Sequence, residues 1–436
     1  MTAAIEFLTP QRIVYGFVIV VVLCTSAYAF RTQRVSMLRY GDGDEYLMAS
    51  EQIAEGRPQT TEAPAVYRVA LPWVVAKLFP KDIPHGYRVL NTIAGGVSAL
   101  LLVFWLREFG VGAVLQMVVV LMFVASWLAP IRFVSFYPLY VDPPFLALAL
   151  LGLILIRRIR VRWSWFRILA LSVVCFVGAL CRETMLFVAC ACVLVNVRFP
   201  RRPPSPNDVP MGARCLPLAA WVMAIAVTRA LPFYPRYSFS LFGNALFLFR
   251  TKPLFTLALA AFFTVGPVLT LALYDWRESG RLLGEHFYLV VYTLGCLATG
   301  YIGGHETERY WFWAAPVAYV LIAHAMARHK DALLHSAWVF VSLVLAQAIS
   351  ERIFWPIPDP GSGVPAFGEW PWVWPRVYSV IDRLVVIDDY FWNLWSYFGS
   401  RPFHFLMLCI DAAFASFLCW WLYRHPSTQP SACRNS

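Results

Sequence analysis

Three carboxylates, Asp42, Asp44 and Glu45, fall within four residues of the stretch YGDGDEYL, just after the first apolar segment of the chain. Carboxylates at this spacing support three kinds of chemistry. An aspartate can take a proton from a hydroxyl group. Asp42-Gly43-Asp44 also has the D-x-D pattern of a divalent-metal and phosphate site, which makes magnesium or manganese a candidate cofactor there. The third is structural: Asp42 and Glu45 have capping-box spacing, and Asp44 alone could serve as an N-cap. Capping occupies one or two of the three carboxylates, so at least one is left for other work.

Cationic groups that could answer them recur along the chain. Arg68 lies in the apolar stretch APAVYRVALPWVVAKLFP, where it either snorkels to headgroups or binds phosphate through its planar fork. CRETMLF sets Arg182 beside Glu183, adjacent charges that are costly at membrane depth unless they pair or face a wet cavity. An internal salt bridge is the simplest use of Glu183. Asp142, in YPLYVDPP, precedes two prolines and suits a helix start. GGHETERYWFWAAPVAY brings His305, Glu306, Glu308 and Arg309 to the mouth of an apolar segment that contains Pro316. A solvated loop accounts for Glu306 and Glu308; His305 and Arg309, beside a tryptophan-lined wall, point to an anionic ligand.

The elements that must position these residues follow from composition. Of the 436 residues, 60% are hydrophobic, 16% aromatic and 14% charged, against about a quarter charged in soluble domains. Apolar runs recur at 13–30, 88–106, 112–130, 143–156, 167–181, 184–197, 215–231, 253–274, 285–302, 310–326, 334–350 and 403–422. The expectation is an all-α, polytopic membrane protein of 11–13 transmembrane helices. The net charge of +11 sits in short arginine loops without a soluble basic module, so nucleic acid is not an expected partner. The ten cysteines lie mostly in apolar segments and read as packing residues.

RRIRVRWSWFR (157–167) and RFPRRPPSPNDVPMGAR (198–214) share one face if 167–197 is a pair of short helices turning at CRET. The N- and C-termini are then cytoplasmic, in a cell (inner) membrane. Loop 31–87, YVDPP, CRET, HETER and the tryptophan-rich loop 351–402 fall on the opposite face. Residues 45–56 read as a short amphipathic helix in the first of these loops. The tryptophans of 351–402 suit an interfacial belt or stacking on sugars. Residues 1–425 form the transmembrane domain and 426–436 a disordered cytoplasmic tail.

Three motifs carry a family resemblance: GDGDEYL followed by YRVALP, YVDPP after the third span, and ETERYWFWAAPV at a late span. With them the chain resembles the GT-C superfamily of membrane glycosyltransferases, and bacterial GT-C-like proteins of cell-surface glycopolymer formation in particular. Asp44-Glu45 is similar to the Asp-Glu pair of protein O-mannosyltransferases. A W-W-D-Y-G-type motif of oligosaccharyltransferases is not present.

The resemblance implies an inverting transfer of sugar from a polyprenyl-phosphate donor to a glycan or lipid acceptor at the outer face of the bilayer. It places Asp44 as first candidate base, Asp42 as second and Glu45 in support. Arg68, Arg309, Arg182 and His305 become candidates for the donor phosphate, with Asp142, Glu183 and Glu308 in second rank. A transporter or flippase of a lipid-linked sugar or anion, and a non-catalytic scaffold, are the alternatives from other classes.

Overall fold

The computed structural model describes residues 10–31, 42–200, 208–230, 241–251, 255–303, 307–351 and 401–426. Every regular element among them is helical, as the fold class requires. Helix α1 (Pro10–Arg31) is the first long apolar segment, and α2 (Asp42–Ala54) follows in the first loop. The latter starts three residues before the expected 45, so that Asp42, Asp44 and Glu45 all lie in its first turn, where the helix dipole favours negative charge. A 3-10 turn (Ala65–Tyr67) and α3 (Ala70–Leu78) complete that loop. Helix α4 (Ile83–Glu108) is started by Asp82, whose side chain accepts from the His85 N–H at 3.1 Å.

Next come α5 (Ala113–Ala125), α6 (Pro130–Phe136), α7 (Asp142–Val161), α8 (Trp165–Cys181), a 3-10 turn (Glu183–Met185) and α9 (Leu186–Val193). The chain does turn back at CRET. Arg160, near the far end of α7, donates to the Val195 carbonyl at 3.3 Å, and Arg198 lines the same cavity as Arg157 and Arg160, so the first arginine-rich segment and the start of the second stand at the same end of the bundle. The second half holds α10 (Met211–Ala230), α11 (Leu241–Thr251), α12 (Phe255–Val265), α13 (Leu269–Tyr274), α14 (Trp276–Glu285) and α15 (Phe287–Ala298). It ends with α16 (Thr307–Phe312), α17 (Ala315–Arg328), α18 (Lys330–Leu334), α19 (Ala337–Ser350) and α20 (Arg401–Arg424).

Five helical segments are long and apolar enough to cross a membrane, or six if α14 and α15, bent by 107°, count as one. Four apolar segments of 10–17 residues join them, each at the place of an expected crossing. The expected 11–13 is approached only when such short segments are counted. The central core packs Trp105, Phe123, Phe145, Leu150, Tyr292, Trp313 and Tyr319, all buried. Loop 351–402, apart from Glu351, Arg401 and Pro402, lies outside the described residues, as does the tail beyond 426.

Two of the expected continuous spans are broken, and each break has an answer in side chains. A helix interrupted in lipid must find partners for the freed backbone groups. At Trp313–Ala314, before Pro316, the Trp313 carbonyl accepts from Tyr292 Oη at 2.7 Å and the Pro316 carbonyl from Trp105 Nε1 at 2.8 Å. At Gly266, where φ is +84°, the amide of Gln347 donates to the Val265 carbonyl at 2.8 Å and accepts from the Val268 N–H at 3.3 Å. A Cβ at Gly266 would lie 2.1 Å from that amide and displace it, and the positive φ strains any residue other than glycine. Gln347→Leu is expected to strand both backbone groups at about 1–3 kcal/mol each. A lowered melting temperature of the detergent-solubilised protein checks this.

Candidate functional site

The site is assembled from one end of α4. Tyr87 and Asn91 stand one turn apart on that helix, and so share a face. Tyr87 Oη donates to the Tyr46 carbonyl at 3.0 Å and lies 2.8 Å from Ser50 Oγ, which fixes α2. Asn91 Nδ2 donates to the carbonyls of Pro138 and Tyr140 at 2.7 and 2.9 Å, which fixes the turn leading into Asp142. One buried polar pair thus sets the distance between the two acidic segments. The CRET turn is held from α10, where Trp221 Nε1 donates to the Glu183 carbonyl at 2.8 Å.

Three arginines meet where these segments converge: Arg68, Arg182 and Arg309, only 5%, 1% and 4% exposed. Arg68 grips Glu183 with two parallel hydrogen bonds, Nε to Oε2 at 3.0 Å and Nη2 to Oε1 at 2.6 Å, and its Nη1 donates to Tyr46 Oη at 2.7 Å. Arg182 Nη1 donates to Asp142 Oδ2 at 2.9 Å. Arg309 stands 3.5 Å from the other Asp142 oxygen and 4.0 Å from Asp42. Asp42 is also 3.8 Å from Arg68. Aromatic rings close the cluster: Arg182 lies over Trp313 at 4.6 Å, and Arg309 over Tyr310 and Tyr140 at 5.0 and 5.1 Å.

Its inner side is tightly packed, with a space of only about 10 Å³ beside Asp142, Arg309 and Trp313. Its open side is at Asp42 and Glu183, whose side chains are 44% and 42% exposed.

Burial alone would raise the Glu183 pKa, but the charge and hydrogen bonds of Arg68 outweigh it and hold the carboxyl down at about 2. Burial pushes the Tyr46 phenol up to about 12, so it stays protonated. The Glu183 shift carries a sign for stability. A carboxyl lowered on folding stabilises above its ordinary value of 4.5 and loses that contribution as pH falls toward about 2. Wild type is therefore expected to lose more thermal stability than Glu183→Gln between pH 5 and pH 3, measured by unfolding in detergent.

The structure sorts the residues singled out in the sequence. Asp42, Arg68, Asp142, Arg182, Glu183 and Arg309 come together, although 267 positions separate the first from the last. Asp44 does not join them. It is exposed, because a two-residue step on a helix turns a side chain by about 200°. Glu45 faces the loop instead of the cluster, and its Oε2 accepts from the Glu62 N–H at 2.8 Å. Glu308 is buried in α16, where its carbonyl accepts from Thr264 Oγ1 at 3.4 Å. His305 and Glu306 lie outside the described residues.

The same 200° step bears on a cation at Asp42 and Asp44. The two carboxylates do not face one another, and Asp42 already looks onto two guanidinium groups, so this pair does not fit a dication. Among the described residues no three His, Cys, Asp or Glu side chains are grouped for one either.

The tryptophan-lined wall expected beside Arg309 covers Trp313, whereas Tyr140 and Tyr310 in the same wall, and Tyr87 and Asn91, the hooks that set the site, were passed over. A polar pair four apart in HGYRVLN, at the start of an apolar helix, was the available signal for the hooks.

No family model matches the chain, and no curated protein matches it. Two solved structures do, both of the oligosaccharyltransferase of Archaeoglobus fulgidus. The crystal structure tethered by a disulfide bond to an acceptor peptide with the NVT sequon is 10% identical, with a TM-score of 0.45, over 77% of this chain and 55% of that one. The crystal structure of the complex with Zn and sulfate is 11% identical, with a TM-score of 0.46, over 76% of this chain and 52% of that one. This chain thus spans about half the length of these structures.

Proposed function

We propose that the protein is a membrane glycosyltransferase of GT-C type, which transfers a sugar from a polyprenyl-phosphate donor to a cell-envelope glycan or lipid with inversion. The observation that carries this reading is the position of Asp42. A half-exposed carboxylate stands 3.8 and 4.0 Å from two almost fully buried arginines. That juxtaposition suits a reaction in which a hydroxyl gives up a proton next to a departing phosphate.

In this reading Asp42, rather than Asp44, accepts the proton of the acceptor hydroxyl as its oxygen attacks the anomeric carbon. The bond from that carbon to the phosphate oxygen breaks on the opposite side, and the electron pair leaves with the phosphate. Arg309 and Arg68 stabilise the charge that grows there. Asp142 and Glu183 are positioning residues, because each orients an arginine. Arg68 cannot take a phosphate in the same plane as its paired bonds to Glu183, so its contribution is chiefly electrostatic, and Arg309 is the group for direct contact.

The bundle supports the side of the membrane. Asp142 and Arg160 lie at opposite ends of α7, about 27 Å apart at 1.5 Å per residue. With the arginine-rich end in the cytoplasm, the site opens on the outer face of the inner membrane.

The test is transfer of radiolabelled sugar from a polyprenyl-phosphate donor by purified protein, with Asp42→Asn, Asp44→Asn and Arg309→Gln beside wild type. Loss in Asp42→Asn with retention in Asp44→Asn is the expected pattern. The reverse pattern returns the role to Asp44. Substrate movement across sealed vesicles without a new glycosidic bond would replace the reading by transport.

A further inference from the structure

A second cavity lies at the other end of the bundle, and it is the larger one, at about 360 Å³. It is lined by Arg157 and Arg160 at the end of α7, by Arg198 after α9, by His286 at the bend between α14 and α15, and by His324 on α17. Acidic residues line it as well, but three of the four are already engaged. Glu108 pairs with Arg158 at 2.7 Å, Asp275 with Arg328 at 2.7 Å and with His329 at 2.9 Å, and Glu278 with Arg281 at 2.8 Å. The fourth, Glu285, makes no ion pair among the described residues, although its backbone carbonyl accepts from Arg160.

The cations divide differently. Among the described residues, none of Arg157, Arg160 and Arg198 has a carboxylate within ion-pair distance. Arg157 donates to the Glu108 carbonyl at 3.2 Å, and Arg160 to the carbonyls of Val195 and Glu285. Arg198 has no described partner. Two ring nitrogens in the same wall also lack a hydrogen-bond partner, His286 Nδ1 and His324 Nε2. His286 is only 9% exposed. A buried polar atom left unmatched is costly unless something supplies its partner. Three guanidinium groups around one space give it the charge of an anion site, and the two imidazoles add only to its hydrogen-bond inventory.

The setting narrows the anion. α14 is amphipathic and leaves the direction of α15 at 107°, with Trp276 66% exposed and Leu273 just before it 59% exposed. A helix of this kind lies in the interface between lipid and water. Arginine-rich pockets at that depth suit phosphate, whose oxygens match the guanidinium fork.

We propose that this cavity binds a phosphate group at the arginine-rich face of the membrane, carried by a lipid headgroup or by a small soluble molecule. It is separate from the catalytic reading, and neither depends on the other.

The test uses the full-length protein in detergent with two probes. Native mass spectrometry counts the phosphatidylglycerol retained against phosphatidylcholine. Thermal unfolding is followed against inorganic phosphate, with chloride at matched ionic strength. Preferential retention of phosphatidylglycerol assigns the lipid, and a rise in melting temperature with phosphate assigns the soluble source. In either arm Arg160→Gln with Arg198→Gln is expected to weaken binding by about tenfold or more, the worth of a charge-assisted hydrogen bond. Arg160 also ties backbone carbonyls, so Arg198→Gln alone is the cleaner variant and must show a loss in the same arm. Equal lipid retention and an equal phosphate response in wild type and Arg198→Gln would overturn the site.

Discussion

Asp42→Asn is expected to lower the rate of sugar transfer by about 10²- to 10⁴-fold, the range for removing a positioned general base. The change keeps the size of the side chain. It also leaves Arg68 held by Glu183, so the fold is expected to survive it. The loss should appear in kcat with little change in KM for the donor, because the base acts on the acceptor hydroxyl in the transition state. Arg309→Gln should differ by weakening donor binding as well as turnover. Asp44→Asn, on an exposed side chain without a described partner, should stay within a few-fold of wild type. Comparable activity in Asp42→Asn and wild type would end the assignment of the base.

The second large effect concerns folding. Asp142 faces Arg182 at 2.9 Å with both side chains buried, 8% and 1% exposed, and Arg309 draws on the same carboxylate. Removing one member of such a pair leaves a buried charge without its counterpart and costs about 3–5 kcal/mol. Asp142→Leu is thus expected to lower the melting temperature sharply and to reduce the yield of folded protein. Adding Arg182→Met should recover part of that stability without recovering activity, because the apolar pair matches in charge and volume while Arg309 is left without the carboxylate that orients it. A double variant no more stable than Asp142→Leu would show that the pair is not the source of the loss.

Much of the frame was legible in the sequence. Runs of apolar residues locate membrane helices because lipid leaves no alternative for the backbone, and α1, α4, α8, α10 and α20 fall within a few residues of the expected spans. The cluster was legible for the same reason. Arg68, Arg182 and Arg309 are expensive in apolar surroundings, and each had to be matched. What sequence could not deliver was helix phase. Whether Asp42 or Asp44 faces the arginines depends on where α2 begins, and capping logic allowed more than one start. The breaks at Gly266 and Trp313 were hidden as well, because the groups that satisfy them, Gln347, Tyr292 and Trp105, come from distant helices.

The three arginines and the three carboxylates around them, Asp42, Asp142 and Glu183, sum to zero formal charge. In the proposed reaction the donor arrives as a phosphodiester with one negative charge and leaves as a phosphomonoester that can carry two. Over the same step Asp42 passes from carboxylate to acid and gives up one. The total within the pocket is then the same before and after transfer. A low-dielectric enclosure penalises any change in net charge far more than a redistribution of it. The matched set therefore lets charge move from the carboxylate to the phosphate without the pocket ever holding more of it.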